Sequence, residues 1–131
     1  MNILITDDHV NVRRSLRELL VDAFPGAHFT EASNGDEALA QLFRSEPDVL
    51  LLDINMPGRS GFEVLKDVNQ IYPQLPVIMV SVQSENQYAL RCRRAGAAEY
   101  VNKDNASEEL VPAIKKILDS GAQSVPKPNG N

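Results

Sequence analysis

A chain of 131 residues, 43% hydrophobic and 24% charged, has the size and composition of one ordinary soluble domain. Its net charge of -5 argues against a nucleic-acid surface of its own, because phosphate neutralisation needs clustered Lys and Arg. The single cysteine, Cys92, excludes a disulfide framework or a thiolate metal site, and no apolar run is long enough to cross a bilayer.

Met1-Asn2 runs straight into Ile3-Leu4-Ile5, a short apolar strand closed by Thr6-Asp7-Asp8, with no sign of a signal peptide. A reducing, cytoplasmic setting is therefore expected. Val12, Leu16, Leu19, Leu20 and Ala23 recur at helical spacing, with Arg13, Arg14, Arg17 and Glu18 off that face. Phe24-Pro25-Gly26 stops this helix. Residues 28–32 read as a weaker strand suited to a sheet edge. Asn34-Gly35 marks a turn, and Asp36 and Glu37 favour a helix start. Ala38, Leu39, Leu42 and Phe43 give that helix its buried face.

Val49-Leu50-Leu51-Leu52 then ends abruptly on Asp53, with Pro57 and Gly58 close behind. A short apolar run closed by turn residues reads as a fully buried parallel strand. Phe62, Val64, Leu65, Val68 and Ile71 predict a third helix, ended by Tyr72-Pro73. Pro76 opens a fourth strand over 77–80 that stops at Ser81. A fourth helix over 85–95 has a thin apolar side of Tyr88, Ala89, Cys92 and Ala95, and Gly96 caps it. Residues 99–101 form a short fifth strand ending near Lys103. The last helix opens at Ser107 and Glu108, with Leu110, Ile114, Ile117 and Leu118 inward. Residues 121–131 are polar and hold Pro126 and Pro128, so the reading is a domain over 1–120 followed by a linker or disordered tail.

Strands and helices alternate throughout, which predicts an α/β fold: a doubly wound parallel sheet with helices on both faces and right-handed crossovers. With five strands the flavodoxin-like order 2-1-3-4-5 is expected. Ligands bind such sheets at the carboxyl ends of the strands. That edge gathers Asp7 and Asp8 from the first strand, Asp53 from the third, Ser81 from the fourth and Lys103 just after the fifth. Like-charged carboxylates raise one another's pKa unless a cation intervenes. An all-oxygen set suits a hard divalent cation, Mg²⁺ above all, and no His pair or thiolate favours zinc. An aspartate beside such a cation can attack phosphorus and form an aspartyl phosphate, whose oxygens Lys103 and Ser81 could engage.

Asp7-Asp8, Asp53, Ser81, Tyr100 and Lys103, in that order across five strand–helix units, make the chain resemble a receiver domain of two-component response regulators, of the CheY-like fold, over about residues 1–120. The resemblance implies that Asp53 is the phosphoacceptor and that Asp7 and Asp8 are the acidic pair. It implies Mg²⁺ held by Asp8, Asp53 and the backbone carbonyl of Asn55, with a sensor histidine kinase as phosphodonor. Ser81 and Tyr100 match the switch positions and Lys103 the family's lysine. Many receivers carry Pro after that lysine, whereas Asp104 follows Lys103 here. That feature, with Asp7-Asp8-His9 and Phe24-Pro25, is similar to the NarL/FixJ-type subgroup. Its output is usually a helix-turn-helix domain, which would carry any DNA binding. Either such a domain follows the tail in a longer chain, or the regulator stands alone and acts through protein partners.

The resemblance also implies a switch that catalyses only its own phosphoryl uptake and loss. Its signal would pass through Ser81 and Tyr100 to the fourth helix, fifth strand and fifth helix, changing self-association or release of an output domain. Two other functions compete. A Mg²⁺-dependent phosphohydrolase of the haloacid-dehalogenase type needs a second Asp two residues after the nucleophile, where this chain has Asn55. A binding module that is never phosphorylated would not need the full acidic set. His9 reads as a water-exposed residue at a helix start rather than a ligand. Cys92 reads as a small apolar residue, and Arg91, Arg93 and Arg94 as a solvated helix face.

Overall fold

The computed structural model describes residues 1–82 and 85–123. Its elements run β1 (Asn2–Thr6), α1 (Val10–Ala23), β2 (His28–Ala32), α2 (Gly35–Arg44), β3 (Val49–Asp53), α3 (Gly61–Ile71), β4 (Val77–Ser81), α4 (Glu85–Arg94), β5 (Glu99–Asn102) and α5 (Ala106–Gln123). One 3-10 turn, Lys103–Asn105, joins β5 to α5. The strands form one sheet in the order β2-β1-β3-β4-β5, and every neighbouring pair is parallel. Fold class and strand order are those expected from the alternation.

Side chains alternate across a strand, so each central strand feeds two cores. Ile3, Ile5, Val49, Leu51, Ile78, Val80 and Val101 pack with Leu16 and Leu20 of α1 and Leu110 and Ile114 of α5. Leu4, Leu50, Leu52, Val77, Met79 and Tyr100 pack with Ala38 and Leu42 of α2, Val64, Leu65 and Val68 of α3, and Cys92 of α4. The apolar runs of β3 and β4 are buried along their whole length. In β2, the edge strand, only Ala32 is buried.

Two expected core residues are outside. Phe43 is 85% exposed and Ile71 58% exposed. Ala38 and Leu42 are the side chains that α2 buries, and Phe43 lies one step round the helix from Leu42, off that face. Ile71 is the final residue of α3, past the last turn that Val68 seats on the sheet. The helix starts follow the caps. Asn34 accepts a hydrogen bond from the Glu37 amide, so the expected turn at Asn34-Gly35 is the N-cap of α2. Ser60 and Glu63 form a capping box on α3. α5 begins at Ala106, one residue before the expected Ser107, and reaches Gln123, three residues into the segment read as a tail. Residues 124–131 lie outside the described residues.

Gly96 closes α4 as expected. Its φ is +104°, the Ala97 amide donates to the Cys92 carbonyl at 2.9 Å, and the Gly96 amide donates to the Arg93 carbonyl at 3.0 Å. Asn69 of α3 donates from Nδ2 to the Ala95 carbonyl at 2.7 Å, which ties this end of α4 to α3.

Gly61 is the tightest backbone approach near the carboxyl edge. Its amide donates to the Ile54 carbonyl at 2.7 Å, and a Cβ there would lie 2.2 Å from the Asp53 carbonyl oxygen. Because the obstacle is backbone, a side chain cannot turn aside to relieve it. Gly61→Ala is expected to destabilise the protein by about 1–3 kcal/mol in urea unfolding. It should also move the Asp53 and Ile54 amide resonances; an alanine variant matching wild type in both would contradict the packing described.

Candidate functional site

The register of the sheet sets the site. Thr6 pairs with Leu52, Asp53 with Val80, and Val80 with Val101. Asp7 and Asp53 therefore leave neighbouring strands at the same level. Lys103, two residues beyond Val101, returns to the side of the sheet that Asp53 shares with Val80 and Val101. Ser81, opposite Asn102, closes β4 one residue beyond them.

Asp7 is 1% exposed and Asp53 4%, and Lys103 joins them. Its Nζ lies 2.7 Å from Asp7 Oδ2 and 3.3 Å from Asp53 Oδ1. Burial pushes the Asp53 carboxyl up to about 6, the Asp7 charge pushes the same way, and Lys103 opposes both. Burial alone would lower Lys103, but the hydrogen bond to Asp7 and the charges of Asp53 and Asp7 outweigh it and hold the ammonium above its ordinary range. Asp8 is half-buried, and its Oδ1 accepts no hydrogen bond. Ser81 is fully buried at the end of β4, and Tyr100 is buried in the core beneath α4. Asn55 is exposed in the loop after β3, which the Gly61–Ile54 hydrogen bond pins to the strand end.

Two side chains enter the site that the sequence pattern does not place there. His9 is exposed, as expected, with 68% of its side chain accessible, yet Nδ1 lies 3.3 Å from Asp7 Oδ1 and 3.2 Å from Asp8 Oδ1. Among the described residues, Asp7, Asp8 and His9 are the group whose ligand atoms lie within 4.8 Å of one another. Arg13 is the second. It lies off the apolar stripe of α1, but its Nη1 donates to the Asp7 carbonyl at 2.6 Å and its Nε to Glu31 Oε1 at 2.8 Å. The available signal was positional: a basic residue in the first turns of a helix that follows a strand-ending acid pair.

Asp8 and the loop after Asp53 border an open cleft of about 750 Å³, lined also by Asn34, Asp36 and Arg59. A buried carboxylate oxygen without a donor, beside two further acids, suits a hard cation with oxygen ligands. The residues present fit Mg²⁺.

Parallel strands in this order, with acids gathered at one edge around a single lysine, place the chain in the receiver class of doubly wound domains. The profile of the response regulator receiver domain matches residues 3–115, and the chain belongs to that family. Response regulator UvrY of Escherichia coli (strain K12) is 34% identical over 117 residues, 89% of this chain and 54% of UvrY. A LuxR-family two-component response regulator from Aurantimonas sp. SI85-9A1 superposes with a TM-score of 0.83 at 31% identity, over 91% of this chain and 85% of that one. TrrA from Thermotoga maritima, solved in complex with Mg²⁺-BeF, gives a TM-score of 0.79 at 35% identity, over 88% of this chain and 97% of that one. Such relatives put the chain in the NarL/FixJ-type subgroup. The chain spans about half the length of the curated relatives it matches. No described helix is long and apolar enough to cross a membrane.

A carboxyl raised to about 6 from an ordinary 3.8 makes the folded state bind a proton that the unfolded state releases. Ionised Asp53 thus costs stability above about pH 6; the cost shrinks as the pH falls and is gone below about pH 4. In metal-free buffer at neutral pH, Asp53→Asn is expected to be more stable than wild type by on the order of 1–3 kcal/mol. The advantage should vanish in acid. Urea melts across this range test it, and a variant less stable at neutral pH would overturn the assignment of strain to Asp53.

Proposed function

We propose that Asp53 is the phosphoacceptor of a phosphorylation-operated switch and that its donor is the phosphohistidine of a sensor histidine kinase. The observation that carries this reading is Lys103, whose ammonium lies between Asp7 at 2.7 Å and Asp53 at 3.3 Å. At neutral pH Asp53 is mainly ionised and therefore nucleophilic, since its carboxyl titrates at about 6. The P–N bond of the donor breaks as a P–O bond forms to an Asp53 carboxylate oxygen. Lys103 can then shift its pairing from Asp53 to a phosphoryl oxygen, and the Ser81 hydroxyl can donate to another. Asp8, Asp53 and the Asn55 carbonyl would hold Mg²⁺, with Asp7 beside them. The bound ion supplies charge neutralisation at the phosphoryl oxygens. The chain catalyses its own phosphorylation and its own slow dephosphorylation and turns over no other substrate.

Phosphorylation adds close to two negative charges beside a buried hydroxyl. In this reading Ser81 moves toward them, the segment leading to α4 follows, and Tyr100 turns into the space that opens. The α4–β5–α5 surface then changes self-association, giving a phosphorylation-dependent homodimer, or changes the hold on an output domain. The greater length of UvrY and the LuxR-family character of the structural relative support an output that binds DNA through a helix-turn-helix domain outside this chain. A cytoplasmic location, with no membrane contact, fits a partner of the kinase's catalytic side.

Two measurements test the reading. Beryllofluoride should bind only with Mg²⁺, as followed by fluorine NMR, and binding should be lost in Asp53→Ala; binding that survives this substitution excludes Asp53. Beryllofluoride should also shift the amide resonances of Ser81, Tyr100 and α4. A response confined to the acid cluster would exclude the proposed route of transmission.

A further inference from the structure

The Asp7 carbonyl sits where β1 outruns its neighbour. The Asp7 amide makes the final backbone bond to β2, donating to Ala32 at 3.1 Å. β2 ends there, and Asn34, whose amide the register would bring to the Asp7 carbonyl, serves as the N-cap of α2 instead. No ladder partner remains for the Asp7 carbonyl, and a buried carbonyl left unpaired is costly. The donor comes from Arg13 of α1, at 2.6 Å. Arg13 is itself fixed, because its Nε donates to Glu31 of β2 at 2.8 Å and only 14% of its side chain is exposed. Arg17 holds the other carboxylate oxygen of Glu31 at 3.3 Å.

The carbonyl concerned belongs to the peptide that links Asp7 to Asp8. With that peptide held, the directions of both carboxylates are set: Asp7 toward Lys103 and Asp8 toward the cleft. We propose that Arg13, braced by Glu31, is a positioning residue for the acidic pair and sets the affinity of the site for a divalent cation. The inference rests on the proposed Mg²⁺ site. It assigns a function to a residue that touches neither the cation nor the phosphoryl group.

The sign of the effect separates positioning from charge. A cation near an acidic site repels a second cation, so if Arg13 acted only through its charge, its removal would tighten Mg²⁺ binding. If it positions the pair, removal weakens binding. Outer-shell partners of metal ligands are typically worth 10–100-fold in affinity. The experiment is a Mg²⁺ titration of the whole chain without phosphodonor, followed through the amide resonances of Asp8 and Asp53. Arg13→Gln, Arg13→Lys and Glu31→Gln are compared with Leu20→Ala, which loosens α1 one turn further from the site.

Mg²⁺ affinity is expected to fall roughly tenfold in Arg13→Gln and in Arg13→Lys, which keeps the charge but not the fork. Glu31→Gln should lower it in the same direction, and the Glu31→Gln/Arg13→Lys double variant should be no weaker than Arg13→Lys alone. Leu20→Ala should lose stability and keep its affinity. Unchanged or tighter binding in Arg13→Gln, or an equal loss in Leu20→Ala, overturns the proposal. If Arg13→Gln fails to fold, Arg13→Lys decides, because loss of the Glu31 charge would weaken cation binding by itself. A wild-type chain that binds no Mg²⁺ at Asp8 and Asp53 would instead remove the metal reading itself, and the inference with it.

Discussion

One ammonium group stands between two buried carboxylates, and the rest of the carboxyl edge is arranged around that fact. Lys103 reaches Asp7 and Asp53 across the ends of β1, β3 and β5. Removing a carboxylate from water costs several kcal/mol unless a partner compensates, and here the acids outnumber the lysine. Asp8 adds a third carboxyl, whose buried Oδ1 accepts no hydrogen bond although the His9 ring nitrogen lies 3.2 Å away. The cluster is therefore electrostatically unfinished, and Asp53 registers the strain in its raised pKa.

The two cores on either side of the sheet make the deficit sustainable. β3 and β4 are buried from end to end, so the strand that delivers Asp53 cannot shift to relieve the repulsion. The Gly61 amide pins the loop after Asp53 to Ile54, and Arg13 fixes the peptide between Asp7 and Asp8. Hydrophobic burial deep in the sheet thus holds polar groups at its edge in positions that they would not choose alone. In the proposed Mg²⁺ site this would be preorganisation: repulsion fixed in place by folding and relieved by a bound cation.

What was legible in the sequence follows from period and order. Apolar runs of four residues ending on an acid or a serine identified β3 and β4. Strict alternation of elements identified the parallel sheet and its strand order, and from that order the convergence of Asp7, Asp8, Asp53, Ser81 and Lys103 followed. Helical period cannot tell how much sheet lies beneath a helix, which is why Phe43 and Ile71 were expected inside and stand outside. Nor can it reveal a side chain whose partner is a backbone carbonyl. Arg13 looked like solvent-facing charge because its ligand, the Asp7 carbonyl, is invisible in residue type. His9 was correctly expected at the surface, but its contact with both acids depends on the backbone turn in which the His9 amide donates to Asp7 Oδ1 at 2.8 Å.

In the proposed switch, α4 is the element through which a charge change at one end of the sheet would become a change of surface. Its carboxyl end is held from several sides: the Gly96 cap, the Asn69–Ala95 hydrogen bond, the buried Cys92, and Arg91 stacked 4.1 Å above the Phe62 ring. Its remaining apolar side is Tyr88 and Ala89, each only partly buried. Gly96 makes the turn out of this held end, its positive φ carrying no Cβ penalty. Tyr100 packs in the same core as Cys92 and Ala97, so a tilt of α4 changes the walls around its ring before it disturbs the sheet. If the proposed coupling from Ser81 to the α4–β5–α5 surface runs this way, it requires no rearrangement of β3 or of the acids, and the proposed phosphoryl site would keep its starting geometry.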